Sequence, residues 1–451
     1  MKTTFYKTVK HFIPEINGWL GGVDDPRNQR HNTYRYPAGF VLWVGIVMYV
    51  CKLGSRRQIN FELRTDAVLK NINMMAKTSM EVMPDHGTVG YLLENLAVKD
   101  LSGVRYKIIN HLIRNKCFNA GRLYGDYLIV IDGSQMMSSS VPHCMNCLTR
   151  EKDGVLSYHH DVLEAKLITP GGLAISIETE FIENSYPEDT FDINSGLEAF
   201  HRAHRETQGS KQDCELRAFY RLIQRLKTTF PQLSICLLLD ALFANQHVLA
   251  LCAKHNWHYI INFKEGSLPA TWQEYLKIKE INPGNHGAYK TREGVQQEFQ
   301  WANGIDFQGH TLNALECTEI TDAGKKTFVW MTNFEVTNHN YPSIGNKGGR
   351  LRWIIENQAF NTQKNGGYNM EHPYSQDPVG MKNFYMLLQI AHIINQLIEK
   401  GSLIPQDIYK SFGSIANIAR RLLESLRTTV FNPAELRLID SAKFQIRLRS
   451  P

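Results

Sequence analysis

Two apolar runs, Tyr127 to Ile131 (YLIVI) and Leu233 to Leu239 (LSICLLL), each end in an aspartate, Asp132 and Asp240. Such runs read as buried strands, so the chain has to build a sheet that delivers two carboxylates from strand ends. A third acid lies in Arg350 to Tyr368 (RLRWIIENQAFNTQKNGGY), where helical spacing puts Arg352 and Glu356 on one face and Gly366 and Gly367 stop the helix. Alone, an Arg/Glu pair at that spacing is a solvated surface pair, and one strand-end Asp is a cap or turn residue. Two strands ending in Asp, followed far downstream by a Glu on a helix, together match what a two-metal phosphoryl-transfer site requires.

The elements around these acids have an order of their own. Asp161 to Pro170 (DVLEAKLITP) and, after Gly171 and Gly172, Leu173 to Ile182 (LAISIETEFI) read as a hairpin, giving three antiparallel strands with the first run. An amphipathic helix over 211–229 carries Leu216, Phe219, Tyr220, Ile223 and Leu226 on one side and is closed by Pro231. Beyond Asp240 come a short helix, Gln246 to His255, and a strand, Trp257 to Phe263 (WHYIINF). Three strands, helix, strand, helix, strand is the order of the ribonuclease H-like fold, whose acids converge at the ends of the first and fourth strands.

Between Lys264 and Gly345 the pattern reads as all β. Gln297 to Trp301, a turn at Asn303 and Gly304, Thr311 to Ile320, a turn at Asp322 to Lys325, and Thr327 to Thr332 describe a small antiparallel sheet inserted between Asp240 and Glu356. Trp272, Trp301 and Trp330 fall in it; core packing is their ordinary role, and an exposed one would stack on an unpaired base. Asn383 to Lys400 is an amphipathic helix expected to pack on the sheet.

Ahead of the first strand the pattern is helical from Pro37 to about Arg122. Leu101, Ile108, Ile109, Leu112 and Ile113 keep a helical period, with Arg105, Lys107, Arg114 and Lys116 largely off that stripe. A basic face of this kind either follows a phosphate backbone or is the solvated side of an ordinary bundle. His86 to Leu96 could be the second helix of a helix-turn-helix. Ala38 to Cys51 is apolar throughout, but at 14 residues it falls short of the roughly 20 that span a bilayer, so it reads as a buried core helix. The expected class is α/β (α+β): a helical, DNA-binding region over 1–126, a core over 127–264 and 346–400, the β insertion over 265–345, and a basic tail over 401–451.

Lys plus Arg exceed Asp plus Glu by 50 to 44, a balance of +6 that suits a polyanionic partner. Eight cysteines in 451 residues, with no secretory leader, are too sparse for a disulfide framework and point to a reducing compartment. No glycine-rich phosphate loop occurs, so no nucleotide is expected.

The chain from about Val50 resembles a DDE transposase of bacterial insertion sequences, in the group with a β-strand insertion between the second Asp and the Glu. LGSRRQ (Leu53 to Gln58), LIVIDGSQ (Leu128 to Gln135), LEAKLITPGGLAISIETEFIEN (Leu163 to Asn184), LLLDALFAN (Leu237 to Asn245), FVWMTNF (Phe328 to Phe334) and RWIIENQAFNTQKNGGYNMEH (Arg352 to His372) carry the resemblance. It implies Asp132, Asp240 and Glu356 as catalytic acids holding Mg²⁺, for which Mn²⁺ can substitute, with Arg352 as the accompanying basic residue. It also implies double-stranded terminal inverted repeats and target DNA as partners, a homodimer in the synaptic complex, no membrane association, and a cytoplasmic, nucleoid-associated location. Lys264, Trp301 and Lys364 are the DNA-contact candidates. The group carries a Tyr three residues before the Arg and a Lys seven after the Glu, where this chain has Gly349 and Gln363. Lys364 is one step late, which turns an α-helix by roughly 80° from the face of Glu356. The rival readings are a ribonuclease H-like nuclease that cuts without strand transfer and a DNA-binding protein whose site has decayed.

One further group stands apart. His143, Cys144 and Cys147 (HCMNC), with His159 and His160 beyond, have a spacing that could hold a structural zinc bracing the loop after Asp132. Cys144, Cys147, His159 and His160 are the expected ligands.

Overall fold

The computed structural model describes residues 1–29, 35–186, 196–207 and 212–449. Its centre is one sheet of ten strands: β1 Tyr127–Ser139, β2 Leu148–Lys152, β3 Val155–Ile168, β4 Ala174–Ile182, β5 Ile235–Leu239, β6 His258–Asn262, β7 His286–Lys290, β8 Gln296–Phe307, β9 His310–Thr321 and β10 Gly324–Thr332. They lie in the order β2-β3-β1-β5-β6-β10-β9-β8-β7, and β4 also pairs with β3. Only β1 with β5 and β5 with β6 are parallel; every other pairing is antiparallel. The two parallel contacts fall where the sequence has its unbroken apolar runs. Leu128 to Ile131 and all of β5 are buried, as strands covered on both faces require.

Helix Pro378–Lys400 packs on β4 and against the helices Ala38–Val50, His86–Asn95 and Val98–Arg114. Its start is fixed locally: Pro378 stands in the first turn, and the Asp377 side chain accepts the Gly380 amide at 2.7 Å. Gly45 lets helix Ala38–Val50 approach closely, since a Cβ there would sit 2.5 Å from Leu387 Cδ2. That apolar helix is a core element, and among the described residues no helix is long and apolar enough to cross a membrane.

Four details differ from the sequence reading. The inserted strands do not form a sheet of their own, because β10 pairs with β6 and extends the central sheet. Asn303 and Gly304 make a bulge within β8, and the hairpin turns instead at Gln308 and Gly309, both at positive φ. The insertion is not all β either, since Pro269–Ile281 is a helix started by its proline. The amphipathic helix expected from 211 runs over Glu215–Thr229, its first expected residue lying outside the described ones.

Arg105 adds a further difference, since it does not lie on a basic face. It is 2 % exposed, donates to Ser176 Oγ at 2.9 Å and to Thr179, and pairs with Glu178 at 3.3 Å. It belongs to a buried polar layer with Glu164 and Lys166, both fully buried and 3.1 Å apart. Thr179 donates to Glu164 at 2.5 Å, and Lys166 donates to Gln389 at 2.9 Å. Removing one member of such a pair leaves a buried charge unmatched. Lys166→Ala is therefore expected to cost about 3–5 kcal/mol of folding stability, whereas Glu164→Leu with Lys166→Met should cost much less. Denaturant titration of the three proteins checks this; equal losses would show that the pair is not energetically coupled.

Candidate functional site

The parallel register of β1 on β5 sets Val130 opposite Leu238. Side chains alternate along a strand, so two residues further on Asp132 and Asp240 emerge level with each other and on one face of adjacent strands. Asn262, at the end of β6, donates to Asp240 Oδ1 at 3.0 Å, and the Gly133 amide donates to Asp132 Oδ1 at 3.1 Å. Glu356 arrives from a helical segment that packs on β1 and β4. There Arg352 bridges the distant parts: its guanidinium lies 3.3 Å from Asp132 Oδ2 and 2.7 Å from Glu356 Oε1. The Arg352 side chain is 10 % exposed, and its Nε is buried without a partner.

The two aspartates are tuned in opposite directions. Burial pushes Asp132 up to about 6; Arg352 works against this, and the nearby charges of Glu356 and Glu215 add to it. Burial also acts on Asp240, but hydrogen bonds from Asn262 and the Ala241 amide, with the charges of Arg352 and Lys264, outweigh it and hold Asp240 below the usual carboxylate range.

Glu356 sits in a π-helical stretch, Ile355–Asn361, between a 3₁₀ turn at Gly349–Arg352 and an α turn at Thr362–Asn365. A π turn turns less per residue than an α turn and is a frequent feature of functional sites. Eight residues wound partly this way bring Lys364 back toward the face of Glu356, so the one-residue offset of the lysine is smaller in space than in an unbroken α-helix. Lys364 is paired with Glu371 at 2.8 Å. Gln363 is fully buried, bonded to Gln389 at 2.9 Å and His392 at 2.8 Å. Gly349 lies flat on Trp330, and a Cβ there would come within 2.3 Å of the indole.

Of the other sequence candidates, Lys264 is exposed near Asp240. Trp301 is not available to DNA: it is 2 % exposed and stacks on Tyr341 with ring centroids 5.3 Å apart. Trp272 and Trp330 are packed as well. The exposed tryptophan is Trp353, between Arg352 and Glu356, with 44 % of its surface open. Glu215 was also missed. A Cβ on Gly133 would lie 2.3 Å from Glu215 Oε1, and burial with the charges of Asp161 and Asp240 pushes the Glu215 carboxyl up. Its only sequence signal is an acid in the first turn of a helix, which ordinarily reads as a complement to the helix dipole.

A second cluster lies beyond the β1 bulge between Gln135 and Met137. His143, Cys144, Cys147 and His160 present ligand atoms that all lie within 4.8 Å of one another, so the group could hold a metal ion such as zinc. The fourth member is His143 and not His159, whose Nε2 faces Asp161 at 3.4 Å. Strand alternation explains the exchange, because His159 and His160 point to opposite faces of β3. The carboxylates of Asp132, Asp240 and Glu356 make no comparably tight group and are arranged about Arg352.

No known protein-family model matches the chain, and no curated protein matches it.

Asp132 supplies a prediction whose sign is set by its raised pKa. A carboxyl that titrates near 6 when folded and near 4 when unfolded favours the fold while protonated and opposes it once ionised. The cost is absent below pH 4, grows between pH 4 and 6, and is complete above. Asp132→Asn should therefore raise stability at pH 7.5 by on the order of 2 kcal/mol, with the gain vanishing toward pH 4. Melting temperatures across that range test it, and a gain independent of pH would contradict it.

Proposed function

We propose that the protein is a DNA transposase of the DDE type, cutting at the ends of an insertion sequence and joining them to target DNA, on a ribonuclease H-like core. The observation that carries this reading is the Arg352 guanidinium holding Asp132 from β1 and Glu356 from a segment 220 residues away, with Asp240 level with Asp132 on the next strand. The order β4-β3-β1-β5-β6, antiparallel as far as β1 and parallel beyond it, supports the core assignment. The strands β7 to β10 and their helix, placed between Asp240 and Glu356, support the insertion-bearing group.

The donor chemistry suits Mg²⁺ or Mn²⁺, since Asp132, Asp240 and Glu356 offer hard carboxylate oxygens. Bound there, a pair of such ions would neutralise charge on the attacking and leaving oxygens of an in-line displacement. The chain's own part is positional. Arg352 orients the Glu356 and Asp132 carboxylates toward each other, and Asn262 fixes that of Asp240. Water attacks an end phosphodiester and releases a 3′-hydroxyl, which then attacks a phosphodiester of the opposite strand or of target DNA. Each displacement makes one P–O bond and breaks another, so no covalent protein intermediate is needed. Joining two ends calls for two copies of the chain, hence a homodimer in the synaptic complex.

One observation favours a second reading, a nuclease that cuts without joining. Gln363 is buried where the family has its lysine, and Lys364 is occupied by Glu371.

Purified protein given Mg²⁺ and DNA carrying the sequences that flank its own gene should cut and then join those ends. Asp132→Asn, Asp240→Asn and Glu356→Gln should each lower cutting by at least about a hundredfold. Cut products that never join would select the nuclease, and DNA left intact under all conditions would remove both enzymatic readings. Trp353→Ala tests the stacking surface: affinity for an end with an unpaired base should fall about tenfold, with binding to blunt duplex unchanged. Equal loss on both substrates, measured by fluorescence anisotropy, would show that Trp353 does not read unpaired bases.

A further inference from the structure

We propose that His143, Cys144, Cys147 and His160 form a closed, tetrahedral zinc site that fastens the tail of β1 to β3. The first evidence is metric. With bond lengths of about 2.3 Å to sulfur and 2.0–2.1 Å to nitrogen, a tetrahedral ion sets its ligands about 3.8 Å apart for sulfur to sulfur and about 3.6 Å for sulfur to nitrogen. Cys144 Sγ and Cys147 Sγ are 3.7 Å apart, and Cys147 Sγ lies 3.5 Å from His160 Nε2 and 3.7 Å from His143 Nε2. The Cys144 Sγ to His160 Nε2 separation is 3.2 Å. These are edges of one such tetrahedron. A disulfide would instead need the sulfurs about 2.05 Å apart.

Ligand type and burial then choose the metal and the role. Two thiolates with two imidazoles suit zinc and not the hard ions that carboxylates hold. Cys147 is fully buried, His160 is 2 % exposed and Cys144 is 8 % exposed, so four protein ligands close the sphere and leave no place for a substrate. The ligand loop is itself held: Asn184 Nδ2 donates to the Cys147 carbonyl at 3.0 Å, and His201 Nε2 lies 2.9 Å from the Cys144 carbonyl. Supports of this kind orient metal ligands.

A physical need for the ion follows from the packing. Cys144, Cys147 and Tyr158, with Leu156 against them, make a small apolar cluster separate from the main core. So few side chains cannot hold a loop by burial alone. Zinc supplies the missing bonds, tying residues 143–147 to β3 beside the Met137 to Ser139 segment of β1, five residues and more beyond Asp132. The site stands whether or not the chain cuts DNA.

Protein purified under reducing conditions without chelator should carry one zinc per chain by elemental analysis. Replacement with Co²⁺ should give the visible absorption of a tetrahedral sulfur and nitrogen site. Cys147→Ser should lose the metal. Because that variant could also misfold, His143→Ala, which keeps three ligands, should stay folded and release zinc to a chromogenic chelator at concentrations that leave the wild type loaded. Stripping zinc from the wild type should speed amide exchange in Met137 to Ser139 and Tyr158 to His160 and leave β5 protected. A folded protein that holds neither zinc nor Co²⁺, or one with a Cys144–Cys147 disulfide under reducing conditions, would overturn the proposal. So would a His143→Ala variant that keeps zinc as tightly as the wild type.

Discussion

Everything at the candidate site depends on the parallel pairing of β1 with β5. The register matters because side chains alternate along a strand, so a slip of one residue would send Asp132 and Asp240 to opposite faces of the sheet. Here that register is Val130 on Leu238, and it leaves Asp132 and Asp240 side by side at the mouth of the sheet. The surrounding strands are buried, so the low-polarity setting that raises Asp132 comes from the same apolar runs that specify the strands. Site and core are one feature of the sequence.

Holding the Glu356 segment against that pair takes a different kind of contact. Gln363, two residues beyond the π-helical stretch, bonds to Gln389 and His392 on the long helix Pro378–Lys400, and Gln389 in turn accepts from Lys166 on β3. Lys166 is paired with Glu164, which lies directly across from Asp132 in the β1–β3 register. A fully buried chain of polar groups thus runs from the helical segment to β3, beside the strand that bears the first aspartate. Apolar packing alone would tolerate sliding, whereas such groups lose their partners if they shift. Gln363 is therefore a structural anchor in this chain, bonded beside a His392 kept neutral by desolvation and the charges of Lys166 and Lys52.

What the sequence made legible follows from the range over which each signal acts. The apolar runs that lead to Asp132 and Asp240, the Ala38–Val50 helix and the long C-terminal helix announce themselves through local period and composition, whereas the continuation of β1 past Asp132 to Ser139 does not. The Asn303–Gly304 pair looks like a hairpin turn on the same local grounds, and only pairing with β9, which accommodates a bulge, assigns it differently. Arg105 was unreadable because its partners Ser176, Glu178 and Thr179 are some seventy residues away. Trp301 and Trp353 show the same limit: identical residue types take opposite exposures according to the layer on which they fall. His143 displaced His159 for a reason that was present in the sequence, since adjacent strand residues cannot face one side.

The charge arrangement of the site carries its own argument. Asp132 and Glu356 share the Arg352 guanidinium, and burial, aided by the charges of Glu356 and Glu215, makes Asp132 hold its proton more tightly. Arg352 depresses Asp132 without overcoming its burial, whereas at Asp25 the backbone and side-chain bonds from Arg27 do overcome burial and hold the acid down. The two bridges use the same pair of residue types, yet in one the bonds outweigh burial and in the other burial outweighs the bonds. A buried acid in that second condition lowers stability at neutral pH. Carboxyls shifted by burial in this way gather at functional sites, and buried structural ion-pair networks produce the same shift.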